Sequence, residues 1–126
     1  MATWREMSRD SLQAAKTLTG EGRLRSAISR SYYAAYCAVT AALVARGVSF
    51  PHSWNNPAHE QLPDLVSNNL SLPPDRRRRL RKALRILRRA REDADYRPGI
   101  TIDRQATVDY LRTAILVIES LGETNG

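Results

Sequence analysis

The sequence predicts an all-α protein, an antiparallel up-and-down bundle of four to five helices. Three observations support this fold class. Apolar residues recur at helical spacing in five segments, as Leu80, Leu84 and Leu87 do at i, i+4 and i+7. Glycine or proline separates these segments, and none of them has a convincing strand pattern. The 126 residues suit one domain with its own core, so we expect a single helical domain over residues 1–126.

Capping and glycine residues mark the ends of the first two helices. Thr3 and Glu6 form a capping-box pattern, which predicts a first helix that continues to about Thr19. Its inward-facing residues are expected to be Met7, Leu12, Ala15 and Leu18. A second helix is predicted over residues 23–46, before Gly47, and its apolar residues lie almost all around it. Such a helix belongs at the centre of a bundle.

Prolines separate the remaining three helices, which are expected at residues 57–69, 75–96 and 103–122. Asn56 and Pro57 predict the cap and first residue of the third helix. Pro63 would lie within its first turns, which predicts a kink or a later start. Gly122 is expected to end the last helix, so residues 122–126 are predicted to form a frayed tail.

The chain is basic, and its arginines are concentrated in the fourth helix. It has 20 Lys and Arg against 13 Asp and Glu, a net charge of +7. Such a surface attracts nucleic acid, nucleotides, anionic lipid or an acidic protein, although a charged run can also be a solvated face. This face has no aromatic side chain for base stacking, so the expected ligand is the phosphate backbone. The assigned phosphate-binding residues are Arg81, Arg85, Arg88 and Arg89.

The fourth helix ends in an unusual charged pair. Arg91 and Asp95 continue the apolar stripe of this helix, although charges normally leave the face that packs. A half-buried arginine must be paired, and Asp95 can orient the guanidinium of Arg91 for bidentate binding of phosphate. An i, i+4 Arg–Asp pair is also an ordinary helix-surface motif. Arg91, Asp95 and Tyr96 are the candidate catalytic residues.

A polar and aromatic stripe lies on the otherwise apolar second helix. Ser29, Tyr33 and Tyr36 share one face at i, i+4 and i+7. Buried tyrosine hydroxyls need hydrogen-bond partners, so the stripe can simply pack against neighbouring helices. The functional alternative is that these residues face a cleft or the seam of a dimer.

Other functional classes have little support in the sequence. Cys37 is the only cysteine, so an internal disulfide and a multi-cysteine zinc site are impossible. His52 and His59 do not have a recognised metal-ligand spacing, and we expect neither metal nor cofactor. The longest uncharged stretch, residues 31–45, is too short to cross a bilayer. The N-terminus lacks a signal-peptide layout, so a cytoplasmic protein without membrane attachment is expected.

Several of these motifs together resemble one family. Residues 25–47, RSAISRSYYAAYCAVTAALVARG, resemble the central helix of HEPN (higher eukaryotes and prokaryotes nucleotide-binding) domains in their Tyr-Tyr-Ala-x-Tyr core and closing glycine. His59 followed by Leu62, and then Arg-x-x-Ala-Asp-Tyr at residues 91–96, is similar to the downstream pattern of one small HEPN branch. The resemblance covers about residues 7–119.

The resemblance implies an up-and-down helical bundle that is usually dimeric. Many HEPN proteins are RNases, commonly toxins encoded beside a minimal nucleotidyltransferase antitoxin, and they cleave RNA without a metal ion. Their usual site is an arginine, a polar residue and, four to six positions on, a histidine. Arg91 matches the arginine, but Asp95 and Tyr96 occupy the place of the histidine.

The basic helix together with the resemblance predicts a module that binds RNA or a nucleotide, and the resemblance implies that it is dimeric and belongs to a toxin–antitoxin or defence system. Arg91 would contact phosphate, Asp95 would orient Arg91, and Tyr96 would line the cleft. One alternative is an active metal-independent endoribonuclease with Asp95, Tyr96 or His59 as its acid and base. Another is a non-catalytic subunit whose basic face holds an acidic partner such as a nucleotidyltransferase.

Overall fold

A computed structural model of the protein describes residues 2–50 and 56–124, and most of these residues are helical. The described part contains five α-helices and no strand, which confirms the predicted all-α class. A 3₁₀ turn, His59–Gln61, precedes the third helix. In chain order the helices are α1 Trp4–Gly20, α2 Leu24–Ala45, α3 Leu62–Asn69, α4 Pro74–Tyr96 and α5 Arg104–Thr124.

The second helix lies at the centre of the bundle, as its all-round apolar pattern predicted. It packs against α1, α3, α4 and α5. Tyr32, Val39 and Leu43 are almost fully buried and join one core cluster with Leu84 and Leu87 of α4. Several alanines of α2 have no exposed surface, which lets the neighbouring helices approach closely. Cys37 is a buried thiol, and burial raises its pKa to about 11, so it packs as a small apolar side chain.

The first helix packs through small residues, and the prediction that Met7 faces inward was wrong. Met7 is 42% exposed. The buried residues of α1 are Ser8, Ser11, Ala15 and Thr19. Ser8 donates a hydrogen bond from its hydroxyl to the carbonyl oxygen of Ala34 in α2, at 2.7 Å. Small side chains bring the two helices together, and this bond to a backbone carbonyl satisfies a hydroxyl that would otherwise be costly to bury.

Two helix ends differ from the sequence-based expectation. Asn56 and Pro57 do not begin α3, because its first residue is Leu62 and Pro63 lies in its first turn. A proline is compatible with that position, since the first amides of a helix have no partner within the helix. The last helix continues through Gly122 to Thr124. Glycine lowers helix stability without blocking helical geometry, so it does not have to end the helix.

The C-terminal end of α4 is held by an arginine that the sequence patterns do not single out. Arg25 of α2 donates through Nη1 to the carbonyl oxygens of Asp93 (3.2 Å), Ala94 (3.0 Å) and Arg97 (3.2 Å). Its Nη2 donates to the carbonyl oxygens of Pro98 and Ile100. The last carbonyls of a helix lack partners within the helix and carry partial negative charge. Arg25 therefore caps α4 and anchors the segment that carries Arg91.

We expect Arg25→Gln to lower the free energy of unfolding by about 1–3 kcal/mol, because it removes a charge-assisted cap. Urea denaturation followed by circular dichroism would measure the change. The matched control is Arg23→Gln, since Arg23 is an exposed neighbour whose side chain does not cap α2. Equal denaturation midpoints for the two variants would contradict the capping role of Arg25.

Candidate nucleic-acid interface

Arg91 lies at the edge between α4 and α2, and it is paired as the sequence predicted. The buried row of α4 continues through Ala90 and Ala94, so Arg91 borders this row and its side chain is only 17% exposed. Its Nε donates to Oδ2 of Asp95 at 2.9 Å, and its Nη2 donates to the Tyr96 hydroxyl at 3.3 Å. The guanidinium is therefore held in one orientation.

A residue of α2 completes this arrangement. The Ser29 hydroxyl donates to the same Oδ2 of Asp95 at 3.1 Å, so one carboxylate oxygen joins the two helices. Burial alone would lower the pKa of Arg91, but Tyr33, Tyr96 and Asp95 together raise it. The guanidinium consequently stays charged. We call Ser29, Tyr33, Arg91, Asp95 and Tyr96 the Arg91 cluster.

The ring of Tyr33 contacts two guanidinium groups. Arg30 lies over its ring at 5.1 Å from the centroid, and Arg91 lies over the same ring at 5.3 Å. Arg91 also contacts the Tyr96 ring, at 5.2 Å. Such cation–π contacts fix the plane of the guanidinium in addition to its hydrogen bonds. Tyr96 is 67% exposed, so the outer part of this cluster is open to solvent.

His59 joins the site from a distant part of the chain. Its Nδ1 forms a 2.5 Å hydrogen bond with the Tyr32 hydroxyl of α2, and its ring centroid is 4.7 Å from that of Tyr36. Tyr36 is buried and donates to the carbonyl oxygen of Pro57 at 2.6 Å, while Asn56 donates to the Tyr36 hydroxyl. Tyr32 and Tyr36 of α2 therefore hold the His59 ring and the backbone at Pro57, in the segment before α3.

The surroundings of His59 favour its neutral form. Burial lowers its pKa from 6.5, and the positive charges of Arg91 and Arg88 lower it further. Glu60 and Glu92 act in the opposite direction but more weakly. Burial also raises the pKa of Tyr32, which therefore remains a protonated phenol. At neutral pH the pair is an uncharged imidazole hydrogen-bonded to a phenol.

The four arginines assigned to phosphate binding have different surroundings. Arg81 lies 3.4 Å from Asp64 of α3, and Arg88 pairs through Nε with Glu92 at 3.1 Å. Arg85 and Arg89 are exposed, and neither has an ion pair with a carboxylate in the described ranges. We call Arg85, Arg88 and Arg89 the α4 basic surface, because they line one open depression of α4 together with Glu92 and Arg97.

The polar stripe of α2 is divided between the cluster and the core. Ser29 and Tyr33 belong to the Arg91 cluster, whereas Tyr36 is buried and holds the backbone at Pro57, two residues before His59. His59 is the residue whose position the sequence left undetermined. In the sequence, only the place of His59 in the HEPN-like pattern pointed to the site. The contact between His59 and Tyr32 depends on how α3 and its preceding turn pack against α2.

Other kinds of site are not present in the described ranges. Residues 2–50 and 56–124 contain no group of three or more His, Cys, Asp and Glu side chains placed to hold a metal ion. His52 lies outside these ranges. Within them, no helix combines the length and the apolar character that crossing a membrane requires.

Comparisons with known proteins identify the family. The chain is 47% identical over 47 residues to a UPF0332 protein of Thermotoga maritima, an alignment that covers 37% of this chain and 36% of that relative. Its fold is similar to that of the crystal structure of TT1696 from Thermus thermophilus, with a TM-score of 0.73, 20% identity and coverage of 96% and 94% of the two chains. The HEPN domain model matches residues 1–124. The chain belongs to the HEPN domain family.

Proposed function

We propose that the protein binds single-stranded RNA through its phosphate backbone, at the Arg91 cluster and the adjoining α4 basic surface. The observation that carries this proposal is the fixed guanidinium of Arg91. Two of its donors are engaged by Asp95 and Tyr96. A guanidinium has five N–H groups in a rigid fork, so donors remain for a phosphate oxygen.

The side chains around Arg91 would contribute to RNA binding in different ways. Asp95 neutralises much of the charge of Arg91. Arg91 would therefore orient a bound phosphate more than it would attract one. Attraction would come from Arg85 and Arg89, which lack carboxylate partners in the described part of the chain. The exposed ring of Tyr96 beside Arg91 offers a face on which an unpaired base can stack. An exposed ring next to positive charge favours single-stranded RNA over a duplex.

The cellular setting remains part of the proposal. Membership of the HEPN family supports a dimeric protein in a toxin–antitoxin or defence system, with a nucleotidyltransferase as the partner. The net charge of +7 would favour an acidic partner. RNA and such a partner would both bind the α4 basic surface, so the partner could block RNA binding.

Metal-independent RNA cleavage is a second candidate function, and the position of His59 favours it. If Nδ1–H donates to the Tyr32 oxygen, the lone pair on Nε2 can accept the proton of a 2′-hydroxyl. The 2′-oxygen would then attack the adjacent phosphorus, the P–O5′ bond would break, the 5′-oxygen would take a proton from water, and a 2′,3′-cyclic phosphate would form. Arg88 lines the same cavity as His59, so its guanidinium could stabilise the charge of that phosphate.

The first prediction from this proposal concerns the α4 basic surface. Arg85→Ala should weaken binding of a short single-stranded RNA and reduce the slope of log affinity against log salt by about 0.7, because one phosphate contact is lost. Fluorescence anisotropy over a series of salt concentrations would measure both values. Lys16→Ala is the matched control, since it removes one exposed positive charge from α1. Identical slopes for the two variants would contradict phosphate binding by Arg85.

The second prediction concerns Arg91. Arg91→Ala should weaken RNA binding by about tenfold or more, because it removes a charge-assisted bond to phosphate. Arg91→Lys should recover only part of this loss, since lysine cannot bind bidentately. Anisotropy and thermal unfolding would be measured on the same samples. A collapse of thermal stability with unchanged affinity in the folded fraction would make Arg91 a structural residue.

The third prediction tests cleavage. Labelled RNA incubated with the protein in EDTA should yield fragments that end in cyclic phosphate, and His59→Ala should slow the reaction by about a hundredfold or more. The pKa of His59 is lowered, so the neutral base persists below pH 6.5 and the acidic limb of the rate profile should lie below that value. Arg88→Met removes a positive charge and should move this limb upward. Intact RNA with the unmodified protein would reject cleavage and leave the binding proposal standing.

A further inference from the structure

We propose that the cavity between the His59 turn and α4 is a subsite for a guanine base, which would give the RNA-binding function a base preference. This inference rests on the proposed function. The cavity has a volume of about 120 Å³. That is the scale of one planar base and too small for a whole nucleotide.

The inner walls of the cavity are suited to the faces of a base. Leu62 of α3 and Leu84 of α4 are 1% and 2% exposed, and they form the inner wall with the ring of Tyr32. Pro63 completes the wall on the α3 side. Small-ligand sites combine such apolar walls with a few polar groups that select orientation. The polar groups here are charged.

Two carboxylates and two guanidinium groups line the rest of the cavity. Glu60 and Asp64 come from the turn and from α3, while Arg85 and Arg88 come from α4. Asp64 pairs with Arg81 at 3.4 Å, but its side chain is 72% exposed, so this ion pair is weak and can exchange. Ionised carboxylates only accept hydrogen bonds and guanidinium groups only donate them. The cavity therefore presents acceptors on one side and donors on the other.

Guanine matches this division better than the other three bases. Its Watson–Crick edge places N1–H and the N2 amino group side by side, and one carboxylate can accept from both. Its O6 and N7 atoms accept from arginine, the commonest specific arginine contact with a base. Adenine and cytosine present one amino donor beside a ring nitrogen that a carboxylate would repel. Uracil presents one N–H between two carbonyl oxygens, so it fits worst.

The cavity is connected to the proposed phosphate site through shared side chains. Arg88 and Arg85 line both the cavity and the open depression of the α4 basic surface. His59 lines the cavity from the other side. A base seated there would place its own nucleotide against the arginines that attract the backbone. Neighbouring parts of one surface would thus select the base and bind the phosphate backbone.

The test compares four pentanucleotides that differ only at the central base, UUGUU, UUAUU, UUCUU and UUUUU. The full chain should bind UUGUU about tenfold more tightly than UUUUU, because a bidentate contact discriminates between bases to about that degree. Fluorescence anisotropy at one fixed salt concentration would give the four affinities. The variant is Glu60→Gln with Asp64→Asn, which removes both carboxylates at exposed positions.

The measured quantity is the ratio of UUGUU to UUUUU affinity, because removal of two negative charges strengthens binding of any RNA. This ratio should fall close to one in the Glu60→Gln, Asp64→Asn variant. The control is Asp10→Asn with Asp109→Asn, which makes the same charge change at exposed positions of α1 and α5 and should keep the ratio.

Three results would overturn the inference. Equal affinities for the four pentanucleotides would reject the guanine subsite and leave backbone binding in place. A guanine preference that survives in the Glu60→Gln, Asp64→Asn variant would place base selection elsewhere. Absence of binding to any pentanucleotide would reject the proposed function, and the subsite with it.

Discussion

The structure depends on the close packing of α2 against the helices around it, and its contact with α4 shapes the candidate site. Ile28 of α2 lies in a small apolar cluster with Ala90 and Ala94, where α4 presents only methyl groups. This close approach leaves larger polar side chains at the edge of the contact, so Ser29 meets Asp95 there. Arg25 secures the same region by capping the end of α4 with one guanidinium. The Arg91 cluster therefore forms because the alanines of α4 pack against α2 and polar residues of both helices lie beside this contact.

The same helix organises the other half of the site. Three tyrosines of α2 contact one another edge to face or tilted, and all three contact the His59 ring. Burial keeps Tyr32 protonated and His59 neutral, while the nearby arginines of α4 reinforce the second effect. Titration of His59 is therefore influenced by α4, although the residue belongs to the connection before α3. The protonation states of Tyr32 and His59 therefore depend together on α2, on α4 and on the turn before α3.

Much of the fold followed from local pattern. The five helical segments, the central position of α2 and the pairing of Arg91 with Asp95 were predicted, because periodicity and i, i+4 spacing act within one helix. Met7 was assigned to the wrong face because the α1–α2 contact uses serine and alanine, which hydropathy does not rank as core residues. Pro57 was assigned to a helix start, whereas the tertiary hydrogen bond from Tyr36 holds it in the turn segment.

By itself, the sequence determined the helical class, the basic charge of α4 and the presence of a half-buried arginine near its end. These properties depend on residues that are neighbours along one helix. Only the tertiary structure decided that Ser29 binds Asp95, that Arg25 caps α4 and that His59 reaches Tyr32. Their partners lie 66, 69 and 27 residues away, and no local spacing encodes contacts of that length. Such contacts arise because packing of whole helices brings the two side chains to the same place.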